Sequence, residues 1–506
     1  KFQHEENPIG NLLLSGPMDL RNGSADLQVA VEAIEEHVLN FVGRPHGLDF
    51  HETVLSSTNR LMIGRYGEQI ELQGAISATP VQMSLGLVPF PSVDALETQY
   101  DFTVDLTGKQ VVIDALSLNA THKGKRFLAG EINRSMTIPW GGEIIKAPDA
   151  EFQLEVANTD AADWQPWLGR YAKSGAVAAK VKISVKENGR EIRFGSSGSI
   201  NSLQLPLDGK VIEIGDFHLN AKGQVTNFRK LEFTQFTANA GRPGKNYFKY
   251  EGEPVVDLAT QIVSGSKSKL EGELAVLLGW FPQKDVSCQS GRATYNGAFT
   301  VGLTQSRKQT VAGTMHWENV SGVIKNQKLD RLAGTADFNL TLKGGHQLHI
   351  DRFSADASVA GQPLVAKVSL GGDWNLRTGT LDLKKVTLLE LDLIRLKTIM
   401  PVRGVESGSA DLQLESLKLA PGKNGFVNGT VTLRDGRLSN WPKDVNGILT
   451  ASTRVVWGED GSIKLDVPKL DGKLFADKIN GPTIAMVQGR LADVDLATGA
   501  FSATLD

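Results

Sequence analysis

Alternation of apolar and polar residues, interrupted repeatedly by glycine, runs through most of this 506-residue chain. Segment 335–342 is typical, because Phe338, Leu340 and Leu342 alternate with polar residues. A period of two places apolar side chains on one face of a strand and polar side chains on the other. The pattern recurs in segments 181–186, 203–207, 217–221, 364–370, 380–386 and 463–467. It therefore predicts a mostly β chain whose sheet has one apolar face.

Glycine-containing dipeptides predict how these strands are connected. The 53 glycines exceed the average usage of about 7%. Asn-Gly and Asp-Gly pairs tolerate the positive φ angles of tight hairpin turns. On this basis turns are predicted at 188–189, 208–209, 296–297, 428–429, 435–436 and 471–472. Turns so close together favour an antiparallel meander.

Short apolar segments at 164–171, 275–281 and 391–399 predict three short helices. They recur at a constant interval, because 280 − 164 and 396 − 280 both equal 116 for Trp164, Trp280 and Leu396. Such a period indicates a degenerate repeat of helix and hairpins. Segment 27–42 fits a helix or a strand. We predict an elongated, curled antiparallel sheet, or β-groove, with an N-terminal β-rich segment at 1–160 and repeats at 161–285, 286–400 and 401–506, the last one truncated.

Charge and cysteine content exclude several classes of protein. The net charge of −3 provides none of the basic character expected of a nucleic-acid binder. The single cysteine, Cys288, excludes an internal disulfide framework and a cysteine-based zinc site. The longest apolar runs fall far short of the ~20 residues that span a bilayer. We interpret the chain as part of a larger polypeptide whose membrane anchor lies outside this sequence.

Chemical motifs are sparse. His46, Asp49, His51 and Glu52 have metal-ligand chemistry and would be the centre of a hydrolase or metalloenzyme, but a polar loop is the simpler interpretation. Gly195-Ser-Ser-Gly198 lacks the spacing of a nucleophile elbow and is interpreted as a turn between strands. No phosphate-binding or dinucleotide-binding glycine motif is present. We therefore expect no catalytic residues, no cofactor and no resident metal.

Several local patterns are similar to those of a known family. Each short apolar segment is followed by a glycine that opens a new strand series, at Gly175, Gly291 and Gly408, and segments such as 428–438 and 487–491 end strands in Gly-Arg-Leu. From about residue 164 onward, the chain resembles the AsmA-like proteins of Gram-negative envelopes. That resemblance implies a periplasmic sheet with an apolar groove, anchored in the inner membrane, that moves phospholipid toward the outer membrane. The sequence departs from the family pattern because it shows no N-terminal membrane helix.

These observations lead to a functional expectation with one alternative. We expect a non-enzymatic protein of the periplasm that binds and transfers phospholipid or another acyl-chain lipid and supports outer-membrane biogenesis. Segments outside this chain would contact the inner and outer membranes, and envelope proteins are further expected partners. The alternative is an assembly scaffold of β-domains that binds an envelope protein through a strand edge. A closed, fully packed core would favour the scaffold.

The predicted lining of the groove consists of apolar residues from the alternating segments. Packing in the core of an ordinary β-sandwich would give the same alternation. The predicted residues are Ile183, Val185, Leu203, Leu205, Phe217, Leu219, Phe338, Leu340, Leu342, Val368, Leu370, Leu381, Leu383, Leu412, Leu414, Val431, Leu433, Ile463 and Leu465.

Overall fold

The computed structural model describes most of the chain. The described residues are 2–4, 7–86, 88–139, 149–168, 172–186, 191–207, 210–226, 229–280, 286–303, 308–324, 327–399, 405–420, 424–438, 445–457, 463–475, 479, 483–495 and 502–505. Strands make up 79% of the structure and helices 8%. The prediction of a mostly β chain built on long antiparallel sheet, with few short helices, is confirmed.

The chain divides into two compact units, of which the first comprises 1–246 and 257–259. Its long strands pair in chain order and antiparallel, while β5, β8 and β9 form a small separate sheet. The strands are β1 Phe2–His4, β2 Asn7–Ser15, β3 Met18–Asp19, β4 Ser24–Ile34, β5 Leu48–Phe50, β6 Leu55–Gly64, β7 Gln69–Ala78, β8 Met83–Leu85, β9 Val88–Pro89, β10 Ala95–Asp105, β11 Gln110–His122, β12 Lys125–Arg134, β13 Met136–Pro139, β14 Ala150–Asp160, β15 Ser174–Lys186, β16 Glu191–Leu207, β17 Lys210–Thr226 and β18 Lys230–Arg242.

The second unit comprises 247–256 and 260–506 and continues the same architecture. From β20 onward each strand pairs antiparallel with the next. The strands are β19 Lys245–Asp257, β20 Ile262–Glu273, β21 Val286–Gly302, β22 Gln309–Ile324, β23 Gln327–Lys343, β24 Gln347–Val359, β25 Gln362–Asn375, β26 Thr380–Asp392, β27 Val405–Leu419, β28 Asn424–Leu438, β29 Val445–Trp457, β30 Ile463–Phe475, β31 Thr483–Asp495 and β32 Ser502–Leu505.

Helices occur only at a few of the described connections between strands. The α-helices are α1 Glu36–Gly43, α2 Gln165–Leu168, α3 Leu274–Trp280 and α4 Leu393–Ile399, and 3₁₀ turns cover Arg44–His46, Arg65–Gly67 and Ala161–Trp164. Six described strands, β15–β20, separate α2 from α3, and six more, β21–β26, separate α3 from α4. Each strand of a meander reverses direction. After an even number of strands the chain is therefore back at the same end of the strands. Helices α3 and α4 accordingly lie at the same end of the strands of the second unit.

The three predicted helices are present over 165–168, 274–280 and 393–399, whereas 169–171 and 281 lie outside the described residues, and capping explains where two helical segments begin. The Oδ1 atom of Asp160 accepts a hydrogen bond from the Ala162 N–H at 2.9 Å, and Asp392 accepts one from Arg395 N–H at 3.0 Å. An N-cap aspartate fixes where a helix begins, so Leu391 and Asp392 end β26 instead of opening α4. Segment 27–42 divides into strand β4 and helix α1. No helix among the described residues is long and apolar enough to cross a membrane.

Four of the six predicted glycine turns are wrong. Asn296-Gly297 lies within β21, Asn428-Gly429 and Asp435-Gly436 lie within β28, and Asp471-Gly472 lies within β30. The pairs at 188–189 and 208–209 lie outside the described residues. Glycine in these strands permits close packing of a neighbouring side chain instead of a reversal of the backbone.

Several strands contain a β-bulge in which a residue other than glycine has a positive φ angle. Ala33, Ser202, Arg331, Glu390 and Asp435 have φ angles of 48°, 54°, 47°, 53° and 49°. In each case the bulge N–H donates to a side-chain oxygen of a neighbouring strand. The acceptors are Ser56, Asp216, Ser321, Asp411 and Asn446, at 3.1, 3.0, 2.9, 2.8 and 3.1 Å respectively. Bulges bend a strand and increase its twist, so these bonds stabilise local bends of the sheet.

Candidate functional site

One face of the sheet in the second unit is apolar across successive strands. The register aligns Leu340, Ile350, Gly372, Leu383 and Leu417 in a row over five strands, β23 to β27. Directly paired residues project to the same side of a sheet. The row is therefore a continuous apolar strip running perpendicular to the strands.

The opposite face of the same strands is polar and charged. The adjacent row consists of Thr341, His349, Asp373, Asp382 and Lys418. His349 Nδ1 lies 2.7 Å from Asp373 Oδ1, and Lys418 Nζ lies 3.1 Å from Asp382 Oδ2. Cross-strand ion pairs of this kind are favourable on a solvated face. In these strands the sheet thus has one polar face and one apolar face, as the alternation predicts.

The first unit shows the same division between its two faces. Ile183, Phe194, Gly223 and Phe233 align across β15 to β18. The rings of Phe194 and Phe233 meet edge to face, with centroids 5.5 Å apart. The sheet in this unit therefore has its own apolar strip.

The register places the predicted lining residues of β15 to β17, β23 and β25 to β28 on these apolar faces. Six of the predicted residues lie in β15, β16 and β17 of the first unit, and the rest lie in β23, β25 to β28 and β30 of the second. In β30, Ile463 pairs with Trp457 and Leu465 pairs with Val455, which continues the row of strands. Neighbouring strands paired with these residues bring further apolar groups to the same faces, including Phe152, Phe236, Phe299 and Met315.

Little covers the apolar face in the described part of the second unit. Ile350, Leu383 and Val386 form a buried cluster there, and the residues packed against them, such as Leu340 and Leu414, remain half-buried. Val431 is 37% exposed. In a sandwich, a second sheet would bury such residues completely. The partial burial distinguishes an uncovered face from a closed core.

The total accessible surface supports the same conclusion. The chain exposes 29916 Å² at a mass of 54.7 kDa. A compact protein of this mass exposes about 18,000 Å², and two separate compact units of half the mass would expose about 22,000 Å². The chain therefore exposes more surface than compact units of this mass would.

Glycines on the apolar face let large side chains lie flat. A Cβ added at Gly334 would come within 2.7 Å of Trp317 Cζ2, and one added at Gly297 within 2.5 Å of Tyr295 Oη. Close approach of a ring to the backbone is a known use of glycine in strands. Tyr295 also stacks on Phe338, with centroids 6.0 Å apart. The sequence-based lining omitted Trp317 and Tyr295, because their strands are longer than the segments of strict alternation.

A few polar groups are embedded in the apolar face. The Tyr100 hydroxyl donates to Asn59 Oδ1 across Gly74, and burial raises the pKa of Tyr100. The Tyr295 hydroxyl donates to the carbonyls of Ala298 and Ala312, both at 3.0 Å. The indole Nε1 of Trp317 is buried and has no hydrogen-bond partner in the part of the chain that the structure describes. A buried N–H without a partner is costly.

Helix α3 packs over the apolar face where β20 ends. A Cβ added at Gly272 would come within 2.4 Å of Leu277 Cδ1, so the leucine lies directly on the strand backbone. Helix α4 lies against β23 as well as β26 and β27, and its Leu393 is buried. These helices cover one end of the strands and leave the middle of the strands uncovered.

In segment 46–52 the structure does not bring His46, Asp49, His51 and Glu52 together as one group of ligands. Asp49 Oδ1 lies 3.6 Å from Arg44 Nη2, and the Glu52 carboxylate accepts from Gln82 Nε2 at 3.5 Å. Among the described residues, no three histidine, cysteine, aspartate or glutamate side chains converge as metal ligands would. The segment is held by Asn40, whose amide exchanges hydrogen bonds of 2.7 and 2.6 Å with the backbone of Phe50.

The prediction that Gly195-Ser-Ser-Gly198 is a turn is wrong. All four residues lie in the middle of β16, paired with β15 and β17. Short side chains in a central strand leave space above the sheet between the longer side chains of its neighbours.

Comparisons of the chain with protein-family models, with curated proteins and with solved structures found no match.

Proposed function

We propose that this protein binds the acyl chains of phospholipid, or of a similar lipid, on the apolar face of its sheet and passes lipid along that face without covalent chemistry. The observation that carries the proposal is the continuous apolar face, which remains only half-buried across successive strands. Each methylene removed from water contributes about 0.8 kcal/mol. An uncovered apolar surface of this length is costly in water, and an acyl chain would remove the cost.

The dimensions of the strip suit one lipid tail. Neighbouring strands are about 4.8 Å apart, so the row from Leu340 to Leu417 spans roughly 19 Å. One leaflet of a bilayer core, and therefore one extended tail, is about 15 Å thick. Because the strip continues across further strands, a tail has equivalent positions along it, which permits movement as well as binding.

The resemblance to the AsmA-like family extends the proposal to a cellular setting. Under it, the chain belongs to a periplasmic protein held by an inner-membrane anchor outside this sequence, and lipid moves toward the outer membrane. The half-buried face favours this function over the alternative of an assembly scaffold, which a closed, fully packed core would favour.

The test compares two substitutions at adjacent positions of β23. Leu340→Asp places a carboxylate on the apolar strip, whereas Asn339→Asp places the same side chain on the exposed polar face. Each variant is purified without detergent, and bound lipid is extracted and measured by mass spectrometry. We expect near-stoichiometric or higher lipid in the wild type and Asn339→Asp, and much less in Leu340→Asp, with unchanged far-UV circular dichroism.

Two results would contradict the proposal. Folded wild-type protein that carries no lipid would favour the scaffold instead. Equal lipid in Leu340→Asp and Asn339→Asp, with both variants folded, would place the binding surface elsewhere.

A further inference from the structure

The polar face of the first unit contains a cleft that lipid binding on the opposite face does not use. The cleft has a volume of about 440 Å³ and lies over β15, β16 and β17. This volume falls in the range of small-molecule sites, roughly 300–1,000 Å³. Its lining includes Gln153, Lys180, Lys182, Lys222 and Asn220.

The Gly-Ser segment of β16 forms the floor of this cleft. Gly195 and Ser197 are small, whereas the residues paired with them on either side are long: Lys182 and Lys222 flank Gly195, and Lys180 and Asn220 flank Ser197. Strands two apart are separated by about 9.6 Å. A Cβ added at Gly195 would meet nothing within 4 Å. The floor is therefore open, and the longer side chains are its walls.

Two lysines face each other directly across the glycine. Lys182, Gly195 and Lys222 form one register row. The two lysines therefore flank a residue whose side chain is a single hydrogen atom. Like charges in one row are unfavourable unless an anion lies between them. Lys182 Nζ is 2.7 Å from Glu151 Oε1, and Lys180 Nζ is 3.1 Å from Glu155 Oε1. Among the described residues, Lys222 has no such carboxylate within 4.0 Å, which leaves the cleft one uncompensated cation.

The remaining polar groups supply neutral hydrogen-bond donors. The Ser197 hydroxyl and the Asn220, Gln235 and Gln153 amides line the cleft beside the lysines. Ammonium groups with adjacent hydroxyl and amide donors match the several oxygens of a phosphate group. The lining contains no aromatic residue on which a sugar or a base could stack.

We propose that this cleft binds a phosphorylated small molecule or headgroup, with the phosphate held between Lys182 and Lys222 above Gly195. The ligand is either a free phosphate ester or the headgroup of a phospholipid. The site is separate from the apolar face, so it can be present whether or not that face carries lipid.

The experiment titrates the intact chain with glycerol 3-phosphate and, separately, with dihexanoyl phosphatidylglycerol below its micelle concentration, by isothermal calorimetry at constant ionic strength. Two variants disable the site in different ways: Lys222→Met removes the uncompensated cation, and Gly195→Val fills the open floor. Lys210→Met is the matched control, because Lys210 lies on the same strand but outside the cleft.

We expect saturable binding that Lys222→Met and Gly195→Val each weaken about tenfold or more, as for loss of a charge-assisted hydrogen bond, and that Lys210→Met leaves unchanged. Binding of glycerol 3-phosphate would identify the free ester as a ligand, and binding of the short-chain lipid alone would identify the headgroup. Absence of binding of both probes up to about 10 mM, or equal affinity in all four proteins, would overturn the proposal.

Discussion

Individual glycines on the apolar face have a packing role that a methyl group would disturb. At Gly334, an added Cβ would lie 2.3 Å from the carbonyl oxygen of Asp356 and 2.7 Å from Trp317 Cζ2. Gly334→Ala is therefore expected to lower the free energy of unfolding by about 1–3 kcal/mol, the usual cost of overpacking. The measurement is urea unfolding followed by tryptophan fluorescence.

Gly195→Ala is the control for that substitution. Its added Cβ would meet no atom within 4 Å, and alanine loses less backbone entropy on folding than glycine does. We expect an unchanged or slightly higher free energy of unfolding. Equal destabilisation by both substitutions would show that the Trp317 contact is not the cause.

A half-buried ion pair predicts how stability responds to acid. The guanidinium of Arg434 donates to Asp411 Oδ2, and this hydrogen bond holds the pKa of Asp411 below its usual value although burial opposes the shift. A carboxyl whose pKa is lower in the folded state contributes stability above its unfolded pKa, near 3.9, and loses that contribution as the pH falls through the folded value. Asp411→Asn should therefore be less stable than the wild type at pH 7.

Asp411→Asn is expected to lower the free energy of unfolding less in acid than at pH 7. Urea midpoints of the two proteins are compared at pH 7 and at about pH 3, where the wild-type carboxyl begins to take up a proton. The difference between the midpoints is expected to narrow. A difference that stays constant between the two pH values would show that the Arg434 pair does not contribute through the charge of Asp411.

At the scale of strands, the side chains that bind bulge N–H groups are expected to be structural. Asp216→Ala removes the acceptor of the Ser202 N–H at 3.0 Å. Because Ser202 is exposed, water can replace the lost acceptor, and the loss costs about 0.5–1.5 kcal/mol, the net contribution of a typical hydrogen bond. We expect that decrease in the free energy of unfolding, together with faster hydrogen exchange of the Ser202 amide measured by mass spectrometry.

Glu213→Ala on the same strand is the control for Asp216→Ala. The Glu213 carboxylate lies 3.8 Å from Arg242 Nη2, and both side chains are well exposed. Such a pair contributes little, about 0–1 kcal/mol. If Glu213→Ala destabilised the protein as much as Asp216→Ala, the bulge bond would have no special role.

Elements differ in how far the sequence predicts them. The strand segments 181–186, 217–221 and 364–370 were predictable because a period of two belongs to the backbone geometry of a strand. The continuation of the strands through 296–297 and 471–472 was not predictable, because glycine allows both a positive φ and the close approach of a neighbouring side chain, and sequence does not distinguish these uses. Bulges such as that at Glu390 depend on an acceptor more than twenty positions away, Asp411, which no local pattern reveals.

The candidate site was likewise only partly predictable from the sequence. Leu340 and Leu383 were predictable as members of one apolar face, since alternation assigns the face of each strand. Whether that face is covered depends on packing between elements, and only the half-burial in the structure distinguishes an uncovered face from a closed core. The lysine pair across Gly195 was not predictable, because it requires the register of three strands.

At the scale of the whole molecule, the repeat of six strands and a helix predicts which deletions the fold tolerates. Trp280 in α3 and Leu396 in α4 occupy corresponding positions, 116 residues apart (396 − 280). Joining Trp280 to Lys397 removes six strands, β21 to β26. Removing one strand reverses both the direction of β27 and the side of the sheet on which its apolar face lies. Removing an even number of strands therefore preserves both.

Deletion of 286–375 is the odd-numbered control, because it removes five strands, β21 to β25. The strands that follow would then enter the sheet with their apolar face on the polar side. We expect the six-strand deletion to stay soluble, to keep its far-UV spectrum per residue and to bind less lipid in proportion to the strands removed, as repeat architectures do when they lose a unit. The five-strand deletion is expected to aggregate or to bind a hydrophobic dye strongly. Equal solubility and equal lipid in the two deletions would show that the chain is not organised by this repeat, and that lipid does not bind along one continuous face.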